Sequence, residues 1–326
     1  MTAGEAPRVG IIGPSRRRNG TGGFVARFLH GAGAHVAAVA ATRLESAEEA
    51  ARRLGAELGR APSAWPSPAD MVREAELDAV VICSPFPHHG EHLGLALEAG
   101  LHVLCEKPLV WRDGPGAAES AARWAERFEA AGLVLQHNAQ WPFVLEALAP
   151  WVAPSGQLCV RRLELGLSPS AAGPEMYPES MPHLASLLAA LGATGEVRLP
   201  RARWGEGLGS LELDFTAPRR EDPPVEARLV LRAREEQPRP AWLEVDGARA
   251  DREVLLQDGY RIRMRVGSHA VDLEDPMEQT VARFVRACRA PGAGRMRDAT
   301  LVPSMLLLEH LWPAVRQAIP SAARGG

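Results

Sequence analysis

Arg8-Val9-Gly10-Ile11-Ile12-Gly13 is a short apolar run ending in glycine, and Gly20-Thr21-Gly22-Gly23 follows it after Pro14-Ser15-Arg16-Arg17-Arg18-Asn19. A strand, a glycine-rich loop and a helix predicted from about Gly23 to His30 make the arrangement in which backbone approaches a pyrophosphate at a helix N-terminus. The loop is about seven residues longer than the compact G-x-G-x-x-G, and Val25 stands where its third glycine would be. Gly13, Ser15, Gly20, Gly22 and Gly23 are the candidate phosphate-side residues. Arg16 to Arg18 read either as phosphate contacts or as an exposed charged loop.

The alternation of strand and helix continues through the first 137 residues. Strands are expected at His35–Ala41, Ser63–Trp65, Asp78–Cys83, Leu101–Cys105 and Leu133–Gln136. Between them the pattern predicts helices at Glu45–Leu58, from Ser67-Pro68 onward, at His89–Glu98 and at Gly116–Ala131. Near-continuous apolar strands separated by helices predict a doubly wound parallel sheet covered on both faces, an α/β Rossmann domain.

Beyond it the period changes. Gln157 to Gly166 and Ser210 to Val266 contain alternating segments (SLELDF, ARLVLRA, WLEV, YRIRMRV) that predict a largely antiparallel open sheet. A helix from about Glu179 to Leu191 is expected between these strands, and two more near Met277–Arg289 and Thr300–Ala318. The expected division is a dinucleotide-binding domain at 1–137 and an α+β domain for substrate binding and oligomerisation at 138–326.

Composition excludes several classes. With 46% hydrophobic and 24% charged residues in 326, the chain has the balance of globular domains rather than of a disordered or fibrous protein. Its 37 basic and 40 acidic residues are interspersed, so no basic stripe points to nucleic acid. No apolar run approaches the roughly 20 residues that span a bilayer. The polar Met1–Arg8 segment leads straight into a strand, which argues against a cleavable leader and for a cytoplasmic protein. Cys83, Cys105, Cys159 and Cys288 form no CxxC pair, and no metal site is expected.

Of the 37 basic residues, 36 are arginine and one is lysine, Lys107. Where positive charge alone is needed, this sequence uses guanidinium. A lone amine is therefore a candidate for chemistry that arginine cannot do, because an ammonium can lose its proton. At the end of the second strand, Ala40-Ala41-Thr42-Arg43 lacks the carboxylate that accepts a ribose 2′-hydroxyl. Thr42 and Arg43 instead favour a 2′-phosphate, so NADP is preferred over NAD.

Three separated stretches resemble one family, the glucose-fructose oxidoreductase/inositol dehydrogenase/MocA-like (Gfo/Idh/MocA) dehydrogenases. Ala96-Leu97-Glu98-Ala99-Gly100-Leu101-His102-Val103-Leu104-Cys105-Glu106-Lys107-Pro108 is similar to the family's helix-Ala-Gly-strand run ending in Glu-Lys-Pro. Ser84-Pro85-Phe86-Pro87-His88-His89 resembles its Thr-Pro-Asn-x-x-His loop, with Ser84 and Phe86 departing. His137-Asn138-Ala139-Gln140-Trp141 is similar to the segment leaving the sixth strand, with Ala139 and Gln140 where Arg is common. Glu179-Ser180-Met181-Pro182-His183 has the spacing of the family's Asp-x-x-x-His, with Glu for Asp. The likeness covers the whole chain in architecture and about residues 78 to 141 closely.

The resemblance implies an NAD(P)-dependent oxidoreductase that moves a hydride between the nicotinamide and a hydroxyl or carbonyl carbon of a sugar- or polyol-like molecule. It implies Lys107 as the catalytic lysine, with His183 as proton carrier and Glu179 beside it. Ser84, Pro85 and His89 join the cofactor contacts, Glu106 contacts the cofactor ribose or positions the loop, and Asn138, Gln140 and Trp141 line the substrate side. Tyr177, one of only two tyrosines, lies close enough in sequence to be a further substrate contact. Pro182, with no backbone N–H, is expected in the first turn of its helix, which would leave Glu179 before the helix proper. A homo-oligomer, dimer or tetramer, is expected by the same analogy. Two rivals share the fold: a non-catalytic NAD(P)-binding sensor, and a redox-neutral enzyme with tightly held cofactor.

Overall fold

The computed structural model describes residues 6–14, 21–153, 159–255, 260–290 and 298–321. Ser15, Gly20 and the Arg16–Arg18 loop lie outside the described residues. The chain forms two compact units: Met1–Arg112, Glu119–Asn138 and Met277–Asp298 make the first, and Asp113–Ala118, Ala139–Pro276 and Ala299–Gly326 the second.

In the first unit six strands form a parallel sheet: β1 (Arg8–Ile12), β2 (His35–Ala40), β3 (Ser63–Trp65), β4 (Ala79–Ile82), β5 (His102–Cys105) and β6 (Leu135–His137). Their order is β3-β2-β1-β4-β5-β6, so the chain reverses direction across the sheet between β1 and β4. Helices α1 (Gly22–Gly31), α2 (Leu44–Leu58), α3 (Pro68–Glu74), α4 (His89–Glu98) and α5 (Ala117–Ala130) connect the strands. Ser67 caps α3 by accepting from Ala69 and Asp70 N–H, and Pro68 follows it at the first helical position. All four residues of β4 are buried, the signature of a strand covered on both faces.

The unit includes a helix from far along the sequence. Val281, Phe284, Val285 and Cys288 of α8 (Pro276–Arg289) share one core with Val9, Ile11, Val25, Leu29 and Val36. Gln136 of β6 donates to the Thr280 carbonyl, and Arg289 donates to the Gly33 carbonyl. A single linear cut after residue 137 does not capture this return, because an amphipathic helix carries no mark of which sheet it covers.

The second unit holds an eight-stranded sheet of order β14-β13-β12-β11-β7-β10-β9-β8. Its strands are β7 (Arg162–Leu167), β8 (Arg198–Trp204), β9 (Ser210–Ala217), β10 (Val225–Arg232), β11 (Trp242–Val245), β12 (Ala248–Leu255), β13 (Arg261–Val266) and β14 (His269–Leu273). Every pairing is antiparallel except β7 with β10. In β9, Leu211, Leu213, Phe215 and Ala217 are buried, whereas Glu212 and Asp214 between them pair with arginines, Glu212 with both Arg203 and Arg228 and Asp214 with Arg228. Helices α6 (Trp141–Val152), α7 (Met176–Ala190) and α9 (Leu301–Gln317) complete the unit.

Four elements here depart from the expected pattern. α6, with Pro142 near its start and Pro150 inside it, was not anticipated, and neither were β8 and β14. β8 reads Arg-Leu-Pro-Arg-Ala-Arg-Trp and is mostly exposed, so its pairing with β9 replaces the apolar alternation that marks a half-buried strand. α7 begins at Met176, three residues before the expected start, so Glu179 lies in its first turn and Pro182 inside it. This corrects the expected position of Glu179 outside the helix.

Candidate functional site

The carboxyl ends of the parallel strands gather most of the candidate residues of the first unit. Backbone pairing runs one residue past each strand: Gly13 N–H donates to Ala40 O, Cys83 to Ile12 O, Glu106 to Ile82 O and Asn138 to Cys105 O. The residues after β1, β4, β5 and β6 are thus held along one edge, where the strand order reverses. That edge is where open α/β sheets bind ligands. Gly13 takes φ +81°, and a Cβ there would meet Ser84 N at 2.8 Å, so the glycine permits the close approach of the β1 and β4 ends.

Glu106 is the hub of this edge. Its Oε1 accepts from the Thr21 hydroxyl at 2.8 Å and from Asn138 Nδ2 at 2.7 Å, and its Oε2 lies 3.4 Å from the backbone N of Lys107. Asn138 is only 4% exposed, so its amide is paired rather than solvated. Thr21 is the N-cap residue of α1, but its side chain caps nothing in the helix, and the first turn of α1 carries no acidic residue. The helix therefore begins with Gly22 and Gly23 at an end suited to an anion. A Cβ on Gly22 would sit 2.8 Å from Pro14 Cα. Thr21 was not singled out in the sequence; its place immediately before the helix was the available signal.

Next along the edge, Ser84 is held twice from α4. Its carbonyl lies 2.8 Å from His89 Nε2, and its hydroxyl 2.9 Å from His92 Nδ1. The other nitrogen of His89, Nδ1, lies 2.9 Å from the carbonyl of Pro108. His89, expected among the cofactor contacts, is fully buried with each ring nitrogen within 2.9 Å of a backbone carbonyl. Burial lowers the pKa of His89, opposed by backbone contacts to Ser84, Pro108 and Leu109 and by the charge of Glu106, and lowers that of His92 to about 4. The Cys83 and Cys105 thiols are pushed up by burial and by the charge of Glu106. All four cysteines are free. Pro85 precedes a short 3-10 turn at Phe86–His88. Thr42 and Arg43 follow β2, exposed, with Arg43 as the N-cap residue of α2 and its guanidinium 3.4 Å from Ser46 Oγ.

On the edge strand β6, His137 Nδ1 lies 2.7 Å from Asp298 Oδ2, both side chains 5% exposed. The same carboxylate oxygen accepts from His137 N–H at 3.3 Å, closing one backbone donor on the free edge of the sheet. Neither residue was anticipated as a pair, since 160 residues separate them.

Within the second unit, α7 presents a narrow accessible stripe. From Met176 to Leu188 every residue is buried except Glu179 and His183, which share a helix face four residues apart. Trp141, at the start of α6, meets His183 edge to face at 6.5 Å between ring centres. Gln140 is the N-cap residue of α6. Tyr177 is brought elsewhere. It is fully buried, donates to the Leu308 carbonyl at 2.7 Å and stacks on Trp312 at 5.2 Å. That placement assigns Tyr177 to the α7–α9 core and leaves no surface for the substrate contact expected of it. Among the described residues no cluster of His, Cys, Asp and Glu suits a metal ion, and no helix is long and apolar enough to cross a membrane.

Residues 8–138 match a family described as an oxidoreductase family with an NAD-binding Rossmann fold. Among curated proteins, D-glucoside 3-dehydrogenase of Escherichia coli is 34% identical over 109 residues, which are 33% of this chain and 28% of that protein. The alignment thus spans less than a third of that relative's length. Among solved structures, the 3-ketoreductase KijD10 from Actinomadura kijaniata, in complex with TDP-benzene and NADP, has a TM-score of 0.65 at 20% identity, covering 96% of this chain and 98% of that one. An inositol dehydrogenase homolog from Azotobacter vinelandii, complexed with NADH and myo-inositol, has a TM-score of 0.64 at 16% identity and covers 97% of each chain. At these identities the two structures show a shared fold.

Proposed function

Because residues 8–138 belong to the Gfo/Idh/MocA oxidoreductase family and form its NAD-binding Rossmann fold, we propose that the chain transfers a hydride between NADP(H) and a hydroxyl-bearing or carbonyl carbon of a sugar- or polyol-like molecule. The observation that carries this reading is Glu106. A carboxylate held by Thr21 from the dinucleotide helix and by Asn138 from the last parallel strand stands directly before the single lysine of the chain.

In this reading Gly13, Gly22 and Gly23 allow backbone to approach the pyrophosphate, and Ser84 and Pro85 border the cofactor beside them. Thr42 and Arg43 receive the 2′-phosphate: the segment after β2 offers a guanidinium and a hydroxyl and no carboxylate. Bound cofactor supplies the hydride acceptor or donor. Lys107 orients and polarises the substrate oxygen, and His183 takes the hydroxyl proton on oxidation or returns it on reduction, with Glu179 on the same helix face. Asn138, Gln140 and Trp141 contact substrate. D-glucoside and inositol in the names of related proteins support the class of substrate.

The test is a thermal-shift titration with NADP and NAD, followed by a panel of sugars and polyols read at 340 nm. NADP raises the melting temperature more than NAD at equal concentration, as preferential binding to the folded state requires. Lys107→Met keeps the NADP shift and loses turnover. A protein stabilised by neither dinucleotide overturns the proposal. Product formation without net change at 340 nm favours the redox-neutral cycle, and binding without turnover on any panel member favours the sensor.

A further inference from the structure

Lys107 is the residue between two immobilised neighbours. Before it, the Glu106 side chain is held by Thr21 and Asn138. After it, the Pro108 carbonyl lies 2.9 Å from His89 Nδ1. The same imidazole reaches the Ser84 carbonyl with Nε2 at 2.8 Å, so one buried ring joins the segment after β4 to the segment after β5. Both partners are carbonyl oxygens, which only accept. A neutral imidazole, having one N–H, donates to one of the two carbonyls, and an imidazolium donates to both. Burial outweighs the backbone contacts and the nearby Glu106 carboxylate and lowers the pKa of this ring, so the neutral form, donating to one carbonyl, is favoured. His92, one turn further along α4, adds a contact to the Ser84 hydroxyl and fixes the same loop from a second point.

We propose that His89 is a positioning residue: wedged between the carbonyls of Ser84 and Pro108 and donating to one of them, it sets the direction in which the Lys107 amine leaves the end of β5. This rests on Lys107 being the reacting amine of the proposed function. His89 itself touches neither hydride nor substrate. Its effect is carried by the backbone on the C-terminal side of the lysine, as that of Glu106 is carried on the N-terminal side.

The chain's single lysine makes a direct readout possible without a known substrate. Acetylation of the full chain by succinimidyl acetate at about pH 8, followed by peptide mass spectrometry, reports the Lys107 amine separately from the terminal amine. Its rate follows the access and protonation of that amine. The comparison uses wild type, His89→Leu, His89→Asn and the control Leu93→Ala, which opens a cavity at a fully buried position of the same helix. Circular dichroism establishes which variants are folded. A folded His89 variant is expected to change the Lys107 rate by about threefold or more and to leave the terminal-amine rate unchanged, because only the lysine's surroundings have moved. Leu93→Ala is expected to lower the melting temperature with the Lys107 rate unchanged.

A folded His89 variant that acetylates at the wild-type rate overturns the proposal, as does Leu93→Ala changing the rate equally. Repeating the wild-type reaction with NADPH separates the two readings. Protection of Lys107 supports its place beside the cofactor. Lack of protection, with the His89 dependence intact, removes that place and leaves the positioning contact standing.

Discussion

Asn138 donates to Glu106 across the ends of two adjacent strands, 2.7 Å from Nδ2 to Oε1, on the same oxygen that receives the Thr21 hydroxyl. One carboxylate oxygen thus ties β6, β5 and the start of α1 together at the edge where the strand order reverses. Whether a substitution preserves this tie depends on whether it keeps an acceptor. Glu106→Gln retains a carbonyl oxygen able to accept both bonds, whereas Glu106→Ala leaves a buried amide and a hydroxyl without their partner. The alanine variant is expected to lose about 1–3 kcal/mol of stability, the cost of an unsatisfied buried polar group. The glutamine variant loses less than half of that. Denaturant midpoints of the two variants check the order, and equal losses would show that charge rather than acceptance holds the edge together.

Arg43 is exposed at the N-cap position of α2, with its guanidinium 3.4 Å from the Ser46 hydroxyl. Among the described residues no ion pair of Arg43 has to be broken for it to reach a phosphate. Arg43→Ala is expected to weaken NADP binding by about ten- to a hundredfold, the loss of a charge-assisted hydrogen bond worth roughly 1.5–3 kcal/mol. NAD binding should change by less than about threefold, because no comparable charged contact is lost with that dinucleotide. Titration calorimetry with both dinucleotides checks this, and equal weakening of the two would refute the 2′-phosphate assignment.

Four histidines of the first unit carry a pH signature. Burial lowers the pKa of His92 to about 4 from an ordinary value of 6.5, and lowers those of His89, His102 and His35 as well. The unfolded chain then binds more protons than the folded one between 6.5 and about 4, so stability rises with pH across that window. Their contribution is complete above 6.5 and is lost as the pH falls toward 4. His92→Gln keeps a side chain able to pair with the Ser84 hydroxyl and removes the titration. Its melting temperature should fall less steeply than that of the wild type from pH 7 to pH 4. Parallel curves would place the acid sensitivity elsewhere.

The Rossmann unit was legible because its strands are buried on both faces and its helices carry conventional punctuation. β3, only three residues long, was expected at Ser63–Trp65 and lies there, and α4 spans the expected His89–Glu98. The lone lysine and the Glu-Lys-Pro run directed attention to the end of β5, where the Glu106 contacts are found. What escaped the sequence was long-range pairing. His137 with Asp298, α8 with the core of the first unit, and His89 with two carbonyls are contacts between residues whose local patterns carry no trace of each other. β8 was missed for a different reason: an edge strand with little buried surface has no need of apolar alternation, and this one is rich in arginine. Tyr177, expected on the substrate side, is a buried ring in the packing of α7 against α9, with its hydroxyl on the Leu308 carbonyl.

That placement makes Tyr177→Phe a discriminating substitution. It removes the bond to the Leu308 carbonyl and keeps the ring stacked on Trp312. The expected loss is about 0.5–1.5 kcal/mol of stability, the net value of one buried hydrogen bond. Turnover and the Michaelis constant for substrate should stay within about twofold, because a bond confined to the core exerts no force on bound substrate. A raised Michaelis constant with unchanged stability would return Tyr177 to the substrate side.

Gly13 and Gly90 offer the same substitution with opposite expected signs. Gly13 has φ +81°, and an added Cβ would meet Ser84 N at 2.8 Å and Cys83 C at 2.9 Å, both backbone atoms that cannot swing aside. Alanine there incurs left-handed strain of about 1–2 kcal/mol before any overlap is counted. Relieving the overlap must separate the ends of β1 and β4, the pair between which the strand order reverses. Gly13→Ala is therefore expected to lower stability by about 2 kcal/mol or more, and to diminish the thermal shift produced by NADP. Gly90 lies in the first turn of α4, and a Cβ added there would have nothing within 4 Å. Alanine at that position restricts the unfolded chain without strain in the folded one, and should raise stability by about 0.4–1 kcal/mol. Chemical denaturation of the two variants measures both effects. If Gly13→Ala were tolerated as well as Gly90→Ala, the ends of β1 and β4 would not be packed closely enough to shape a dinucleotide site, and the cofactor assignment would lose its steric basis.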